Sequence, residues 1–241
     1  MSTYEFTNST VYLVGAGPGD PELISVKGHK LLQCADAIVY DRLIDKSLLD
    51  LSKKGCEMVD VGKSPGGNID QDQINKLLVE LSSRHKSVVR LKGGDPFIFG
   101  RGGEEVLELI KHGINYEVVP GITSATSGPL LAGIPLTHRG ISAGFVVITG
   151  STVETEEINY KALVELNSTI VILMGVTNRE VIKSSLIENG MSKDTPIALI
   201  TWASYDKQEV TRILLSQLSQ VDLKPPAIIV VGKVAELDFL L

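Results

Sequence analysis

The sequence predicts an α/β protein with two lobes built on mainly parallel sheets. Short segments rich in β-branched residues alternate with segments of helical character along nearly the whole chain of 241 residues. Apolar residues make up 43% of the composition and aromatic residues only 5%. A core of Val, Ile, Leu and Ala suits parallel strands buried on both faces better than it suits an aromatic-rich sandwich.

The first lobe is predicted from five strand-like segments. They are residues 10–16, 37–41, 57–62, 87–93 and 116–121. Before the fourth strand, residues 70–85 show the i, i+3, i+4, i+7 spacing of an amphipathic helix. Its apolar positions are Ile74, Leu77, Leu78 and Leu81. The Asp and Gln residues at its start suit the N-terminal turn of a helix.

The second lobe is predicted from a second series of strands. These are residues 144–150, 168–175, 196–202 and 226–232. Helix-like segments such as residues 178–190 separate them. We therefore assign residues 1–119 to an N-terminal α/β lobe and residues 120–241 to a C-terminal one, with an approximate boundary near Pro120 and Gly121.

Composition narrows the function classes. The net charge of −6 argues against a general nucleic-acid binder, which needs a surplus of Lys and Arg, and favours a small ligand. Cys34 and Cys56 form no CxxC pair and have no His cluster nearby, so we expect neither a disulfide framework nor a metal site. A start without a basic and then apolar segment, and no run long enough to span a bilayer, predict a cytoplasmic protein without membrane association.

In open α/β sheets, ligands bind beyond the carboxyl ends of the strands. This rule selects the loops that follow the first five strands: residues 15–20, Asp41, Lys63, residues 93–96 and residues 121–124. We expect these loops to line one cleft.

The first of these loops, GAGPGD, resembles a dinucleotide-binding GxGxxG fingerprint without matching it. Asp20 stands where the third glycine belongs, and its charge would repel a pyrophosphate. Pro18 also removes a backbone amide. A tight turn without a ligand and a ligand-binding loop both remain open on this evidence.

Residues 93–103 form a richer loop. They contain five glycines, one proline, three large apolar residues and two charges. Glycines allow a ligand to approach the backbone, and Phe97, Ile98 and Phe99 are suited to line an adenine or a macrocycle. The alternative is a buried turn in which at least one of the two phenylalanines belongs to the core.

Asp41 and Lys63 are the natural acid–base pair, because each follows an apolar strand. The structural alternative is that each is solvated or caps a helix. His138 lies in a predicted loop and is a better candidate for polar contact with a ligand than His29 and His85, which we place on helix surfaces.

Five sequence blocks together carry a family resemblance. In order, they are GAGPGDPELISVKG, VYDRLI, RLKGGDPFIFGRGGEE, VVPGITSA and AGIPLTHRG. The chain resembles the uroporphyrinogen-III C-methyltransferases of the tetrapyrrole methylase family from about Val11 to Gly232. The most specific block is Arg90 to Glu105.

The resemblance implies a class III methyltransferase, usually a homodimer, with S-adenosylmethionine in a cleft between the lobes. It implies methylation of rings A and B of uroporphyrinogen III, giving precorrin-2 and S-adenosylhomocysteine, on the way to sirohaem or cobalamin. It makes Asp41 a proton acceptor and Lys63 a proton donor. The implied cofactor contacts are Pro18, Gly93, Gly94, Asp95, Ile98, Thr123, Ser124, Met174, Ala203 and Ala227.

The implied substrate is rich in carboxylates although the chain is acidic, so we expect a local basic patch to bind it. Besides Lys63, its candidates are Arg42, Lys92, Arg101, His138 and Arg139.

The chain departs from the family pattern in residues 64–73, 151–157 and 201–210. These departures affect loops that are candidates for macrocycle contact. Two alternatives therefore stay open beside the main interpretation: a methyltransferase that acts on a later corrinoid, and a protein that binds S-adenosylmethionine without turnover. The intact VYDRLI and FIFGRGGEE blocks favour the early substrate.

Overall fold

The computed structural model describes residues 9–62, 70–151 and 158–239. These residues form ten β-strands and six α-helices, with four short 3₁₀ helices. They divide into two compact units, the first ending at Thr123 and the second beginning at Ser124. Within the described ranges, no helix is both long and apolar enough to cross a membrane.

The first unit is a five-stranded sheet in which all pairings are parallel. The strand order is β3-β2-β4-β1-β5. The strands are β1 (Thr10–Gly15), β2 (Ala37–Tyr40), β3 (Glu57–Asp60), β4 (Ser87–Lys92) and β5 (Asn115–Val119). The helices are α1 (Val26–Cys34), α2 (Gln71–Arg84) and α3 (Gly102–Lys111).

Alternate residues of β1 enter two different cores. Tyr12 and Val14 pack in the cluster that includes Leu31 of α1. Val11 and Leu13 pack on the opposite face with residues of α2 and α3. Because both faces of the sheet are covered, its strands are continuous apolar runs, as the sequence predicts.

The predicted helix at residues 70–85 is confirmed as α2. Asp70 accepts a hydrogen bond from the Gln73 backbone, and the Gln73 side chain accepts one from the Asp70 backbone, which forms a capping box. Ile74, Leu78 and Leu81 are buried on its inner face.

The second unit contains a mixed sheet with the order β6-β7-β10-β8-β9. Its strands are β6 (Phe145–Thr149), β7 (Thr169–Leu173), β8 (Pro196–Thr201), β9 (Glu209–Leu214) and β10 (Ala227–Val231). Its helices are α4 (Ser124–Leu131), α5 (Tyr160–Glu165) and α6 (Arg179–Glu188). The pair β6–β7 is parallel, whereas β10 is antiparallel to both its neighbours and β9 is antiparallel to β8.

The prediction of mainly parallel sheets is confirmed for the described residues as a whole, chiefly through the first sheet. The sequence did not indicate the antiparallel pairings of the second sheet. Strands β7, β8 and β10 are buried on both faces, so their apolar runs look like those of parallel strands. Strand β9 was not predicted either, because it pairs only at the sheet edge and exposes alternate polar residues.

Three glycines pack backbone against backbone where β1, β4 and β5 end. A Cβ atom added to Gly15 would lie 2.5 Å from the Cα atom of Gly121. A Cβ atom added to Gly121 would lie 2.2 Å from the carbonyl oxygen of Gly94. These contacts involve main-chain atoms, which cannot turn aside as a flexible side chain can.

We therefore expect Gly121→Ala to lower the free energy of unfolding by about 1–3 kcal/mol, in the range typical of overpacking. Urea denaturation measures the change. The matched control is Gly103→Ala in α3, where an added Cβ meets nothing within 4 Å. That control should be neutral or gain up to about 1 kcal/mol from helix propensity. Equal stability of the two variants would contradict the packing argument.

Candidate active site

The loops after β1 and β4 are joined by backbone hydrogen bonds. The Ala16 amide donates to the Lys92 carbonyl at 2.7 Å. Gly17 and Gly94 exchange two bonds, at 3.3 Å from the Gly17 amide and 2.7 Å from the Gly94 amide. The GAGPGD segment is therefore part of a fixed loop cluster at the carboxyl edge of the first sheet, as the strand-end rule predicts.

Two acidic side chains organise these loops. Asp95 accepts the Phe97 amide at 2.9 Å through Oδ1 and the Gly121 amide at 3.1 Å through Oδ2, so it joins the loops after β4 and β5. Each carboxylate oxygen retains capacity to accept a further bond. Asp20 caps the short 3₁₀ helix Pro21–Leu23 by accepting the Glu22 amide at 2.9 Å.

An apolar group is exposed on the same loops. Phe97 is 57% exposed, and Ile98 and Phe99 are also exposed, so the alternative that one of the phenylalanines belongs to the core is wrong. Leu43, after β2, and Ile122, after β5, are exposed as well. Apolar side chains gathered at the carboxyl edge of a parallel sheet are typical of a ligand site.

Arg101, the N-cap residue directly before α3, has a left-handed backbone with φ 57°, and Phe99 two residues earlier has φ 51°. The Arg101 guanidinium forms a two-pronged ion pair with Glu104, with Nε–Oε1 at 2.7 Å and Nη2–Oε2 at 2.6 Å. The hydrogen bond from Arg101 is the main cause that lowers the pKa of Glu104. Arg101 is exposed at the end of the loop, and its positive charge is paired with the Glu104 carboxylate.

Asp41 directly follows β2. Its carboxylate accepts a hydrogen bond from Arg90 Nη2 at 2.5 Å and its side chain is 33% exposed. It therefore faces an ion-pair partner in β4, which excludes the alternative of a helix cap. Arg42 is exposed and packs against the backbone of Gly62. Lys63, the next residue, lies outside the described residues.

The structure corrects the prediction for Lys92 as a substrate ligand. Lys92 is only 2% exposed, and its ammonium donates to Glu105 of α3 at 2.9 Å. Burial lowers the pKa of the Lys92 ammonium, and the neighbouring Arg90 charge adds to this effect while Glu105 opposes it. Lys92 shares a strand face with Arg90, two residues before it, and this face is covered by helices. The position of Lys92 at the end of a strand does not indicate, from sequence alone, that helices bury its side chain.

In the second unit, the predicted cofactor residues gather at one end of the strands of the sheet, where β7 and β8 end and β10 begins. Ala227 starts β10 opposite Thr201, the last residue of β8, and the next residue, Ile228, pairs with the last residue of β7. Met174 follows β7 directly and is exposed, whereas Ala203 is buried beyond β8. Helix α4, which begins at Ser124, packs against the same end, since a Cβ on Gly128 would contact Ile228 and Ala203.

This end of the strands also concentrates left-handed backbone conformations. Met174 has φ 57°, Trp202 φ 49° and Ser204 φ 75°. Such conformations cost non-glycine residues about 1–2 kcal/mol each and are found preferentially at functional sites. Trp202 also lies under the Lys207 ammonium, 3.2 Å from the ring centroid, and edge-on to Tyr205. From the sequence alone, residues 201–210 stand out only as a departure from the family pattern, and this aromatic cluster is not predicted.

His138 and Arg139 are exposed in a turn that lies away from the predicted cofactor residues of the second unit. Ser142 closes the turn by accepting the His138 amide at 3.0 Å through its carbonyl. The Ser142 hydroxyl oxygen in turn accepts the amide of Thr169, the first residue of β7, at 3.1 Å. The turn therefore lies at the end of β7 opposite to Met174. Within the second unit, His138 and Arg139 are not brought together with the predicted cofactor residues.

Comparison with known proteins gives a consistent result. Residues 10–219 match the family model of the tetrapyrrole (corrin/porphyrin) methylases. A uroporphyrinogen-III C-methyltransferase of Methanocaldococcus jannaschii is 51% identical over 231 residues, which cover 93% of this chain and 96% of that protein. A siroheme synthase of Psychromonas ingrahamii is 42% identical over 97% of this chain, and the chain spans 50% of the length of that protein.

A solved structure also matches over nearly the full chain. It is the uroporphyrin-III C-methyltransferase of Thermus thermophilus in complex with S-adenosylhomocysteine, with 40% identity and a TM-score of 0.83. The match covers 95% of this chain and 94% of the other. The family match spans well over half of the chain and agrees with the fold and the loop cluster. The chain belongs to the tetrapyrrole methylase family.

Proposed function

We propose that the chain transfers methyl groups from S-adenosylmethionine to rings A and B of uroporphyrinogen III and forms precorrin-2. The observation that supports this most directly is the Asp41 carboxylate, partly exposed and held by Arg90 at the same sheet edge as the apolar loop. Two of the similar proteins are named uroporphyrin(ogen)-III C-methyltransferases, and one of these two was solved with S-adenosylhomocysteine.

The described residues suit an adenosine-containing ligand. Gly93 and Gly94 are partly exposed and place no side chain on the loop, Ile98 supplies an apolar surface, and Met174 is exposed where the backbone is left-handed. We propose cofactor contacts by Pro18, Gly93, Gly94, Asp95, Ile98 and Thr123 of the first unit and by Ser124, Met174, Ala203 and Ala227 of the second. The bound sulfonium would supply a methyl group that is already activated.

The protein then has to align the reacting groups and manage protons. Alignment of bound reactants can by itself account for a large part of a rate enhancement. The methyl group is transferred without its bonding electrons, so the methylated ring system becomes a cation and must lose a proton to regain its former charge; we propose that Asp41 accepts this proton. Lys63 is proposed as the proton donor, and Arg42 and Arg101 as partners of the substrate carboxylates. We further propose a cytoplasmic homodimer that serves sirohaem or cobalamin synthesis.

The central experiment incubates the purified protein with S-adenosylmethionine and enzymatically prepared uroporphyrinogen III. We expect a product that carries two added methyl groups, detected by mass and absorbance. Calorimetric titration with S-adenosylhomocysteine provides the binding control. Measurable binding without any methylated product would reject turnover of this substrate, and product from a later corrinoid under the same conditions would point to the second substrate class.

We expect Asp41→Asn to lower kcat on the order of 10²–10⁴-fold, the usual contribution of a general acid or base. The affinity for S-adenosylhomocysteine should stay within about twofold, because proton transfer is not part of cofactor binding. Asn keeps the shape of Asp and an oxygen that can accept from Arg90. If affinity collapses instead, Asp41 is a cofactor ligand or a structural residue.

Arg42→Ala should raise KM for the tetrapyrrole by about tenfold through the loss of a charge-assisted hydrogen bond. Arg139→Ala is the matched comparison, since Arg139 is also exposed but lies on the turn at the opposite end of β7 from Met174. We expect this second variant to change KM by less than about twofold. Equal effects of both substitutions would restore the sequence-based assignment of Arg139.

A further inference from the structure

A buried charge network lies behind the Asp41 carboxylate. Arg90 is 2% exposed, Lys92 is 2% exposed and Glu105 is fully buried. Together with Asp41 they form two cations and two anions linked by ion pairs. Asp41 is the one member of this group with a substantially exposed side chain, so the network reaches solvent at the carboxylate for which we propose a chemical role.

Arg90 is the centre of the network. It lies in β4, the middle strand of the first sheet, and each of its three side-chain nitrogens has a partner. Nη2 donates to Asp41 Oδ1 at 2.5 Å, and Nε donates to Glu105 Oε1 at 2.9 Å. Nη1 donates to the carbonyl of Leu91 at 3.3 Å and to that of Val39 at 3.5 Å. The guanidinium plane is therefore fixed from three directions.

Glu105 holds Arg90 from the first turns of α3. Its Oε1 atom also accepts hydrogen bonds from Lys92 Nζ at 2.9 Å and from the side-chain amide nitrogen Nε2 of Gln71 at 3.4 Å. Its Oε2 atom is buried without a hydrogen-bond partner among the described residues. A carboxylate buried in this incompletely satisfied state costs free energy, which argues that it is retained for a purpose other than stability.

The opposite charges of the network stabilise the charged form of Arg90. Burial acts to lower the pKa of the Arg90 guanidinium, but the charges of Asp41 and Glu105 outweigh burial, and the pKa is raised above its usual value. Arg90 thus remains a cation in the core. Apolar replacement of buried ion pairs often leaves stability unchanged or improves it. Stability alone therefore does not explain four linked charges.

We propose that Arg90 is a positioning residue for Asp41, and that Glu105 in turn fixes Arg90. The proposal rests on the proposed function, in which Asp41 accepts a proton from the substrate. Arg90 binds Oδ1 and thereby sets the rotation of the carboxylate, while no hydrogen bond to Oδ2 is found within the described ranges. The carboxylate is held through Oδ1, and in this proposal Oδ2 is the oxygen that accepts the proton.

The test is a double-mutant cycle on kcat. Arg90→Met removes the guanidinium and leaves the Lys92–Glu105 pair balanced in charge, so the core retains no net charge there. We expect Arg90→Met to lower kcat by about 10–100-fold in the parent, the effect of a misplaced reacting group. In the Asp41→Asn background the same substitution should lower kcat by less than about threefold, because the carboxylate that it positions is gone.

Further variants separate positioning from folding. Arg90→Lys keeps a buried cation but lacks the planar fork that binds Asp41 and Glu105 at once, so it should fold and still lose most of the activity. Arg84→Met is the control. Arg84 is an exposed residue at the end of α2 that pairs with Glu57 of β3, so kcat should not change. Affinity for S-adenosylhomocysteine and Tm are measured for every variant.

The outcomes are distinct. Equal fold losses from Arg90→Met in both backgrounds, or full activity of Arg90→Lys, overturn the positioning role and leave the proposed function intact. If Asp41→Asn has the kcat of the parent, the proton-accepting role of Asp41 fails, and the positioning proposal fails with it. A large loss that appears only in the presence of Asp41 supports the proposal.

Discussion

The ion pair between Arg90 and Glu105 connects the central strand of the first sheet with the helix that follows the glycine-rich loop. Both side chains are buried, so the distance of 2.9 Å between Nε and Oε1 constrains where α3 begins. The position of α3 in turn constrains the loop of Phe97 and Ile98. The same guanidinium reaches Asp41 across the sheet. One side chain in the core thus relates the apolar loop and the proposed proton acceptor to each other.

Much of the fold could be predicted because the relevant signals are local. The spacing of Ile74, Leu78 and Leu81 specifies a helix whatever surrounds it. The strand-end rule located Asp41 and the loop around Gly94, because parallel strands place their carboxyl ends at one edge. Strand direction in the second sheet depends on partners that are distant in sequence, and apolar runs buried on both faces contain no information about it.

The site was less predictable where function depends on burial. Lys92 and Arg101 are both basic residues near a glycine-rich loop, yet the first is buried against Glu105 and the second is exposed beside Glu104. The available signal was Arg90, a charged residue in the middle of the apolar run SVVRLK, which has to find an acidic partner in the core. The left-handed residues Met174, Trp202 and Ser204 have no comparable signal, because none of these residue types favours that conformation.

The position of β10 has a consequence for the order in which the chain acquires its structure during synthesis. This strand is the last of the described strands along the chain but lies between β7 and β8, in the middle of the second sheet. The first sheet is complete once β5 has emerged from the ribosome, whereas the second lacks its central strand until β10 has followed β9. The nascent second unit therefore passes through a stage with two unpaired strand edges, during which contact with other chains is most hazardous.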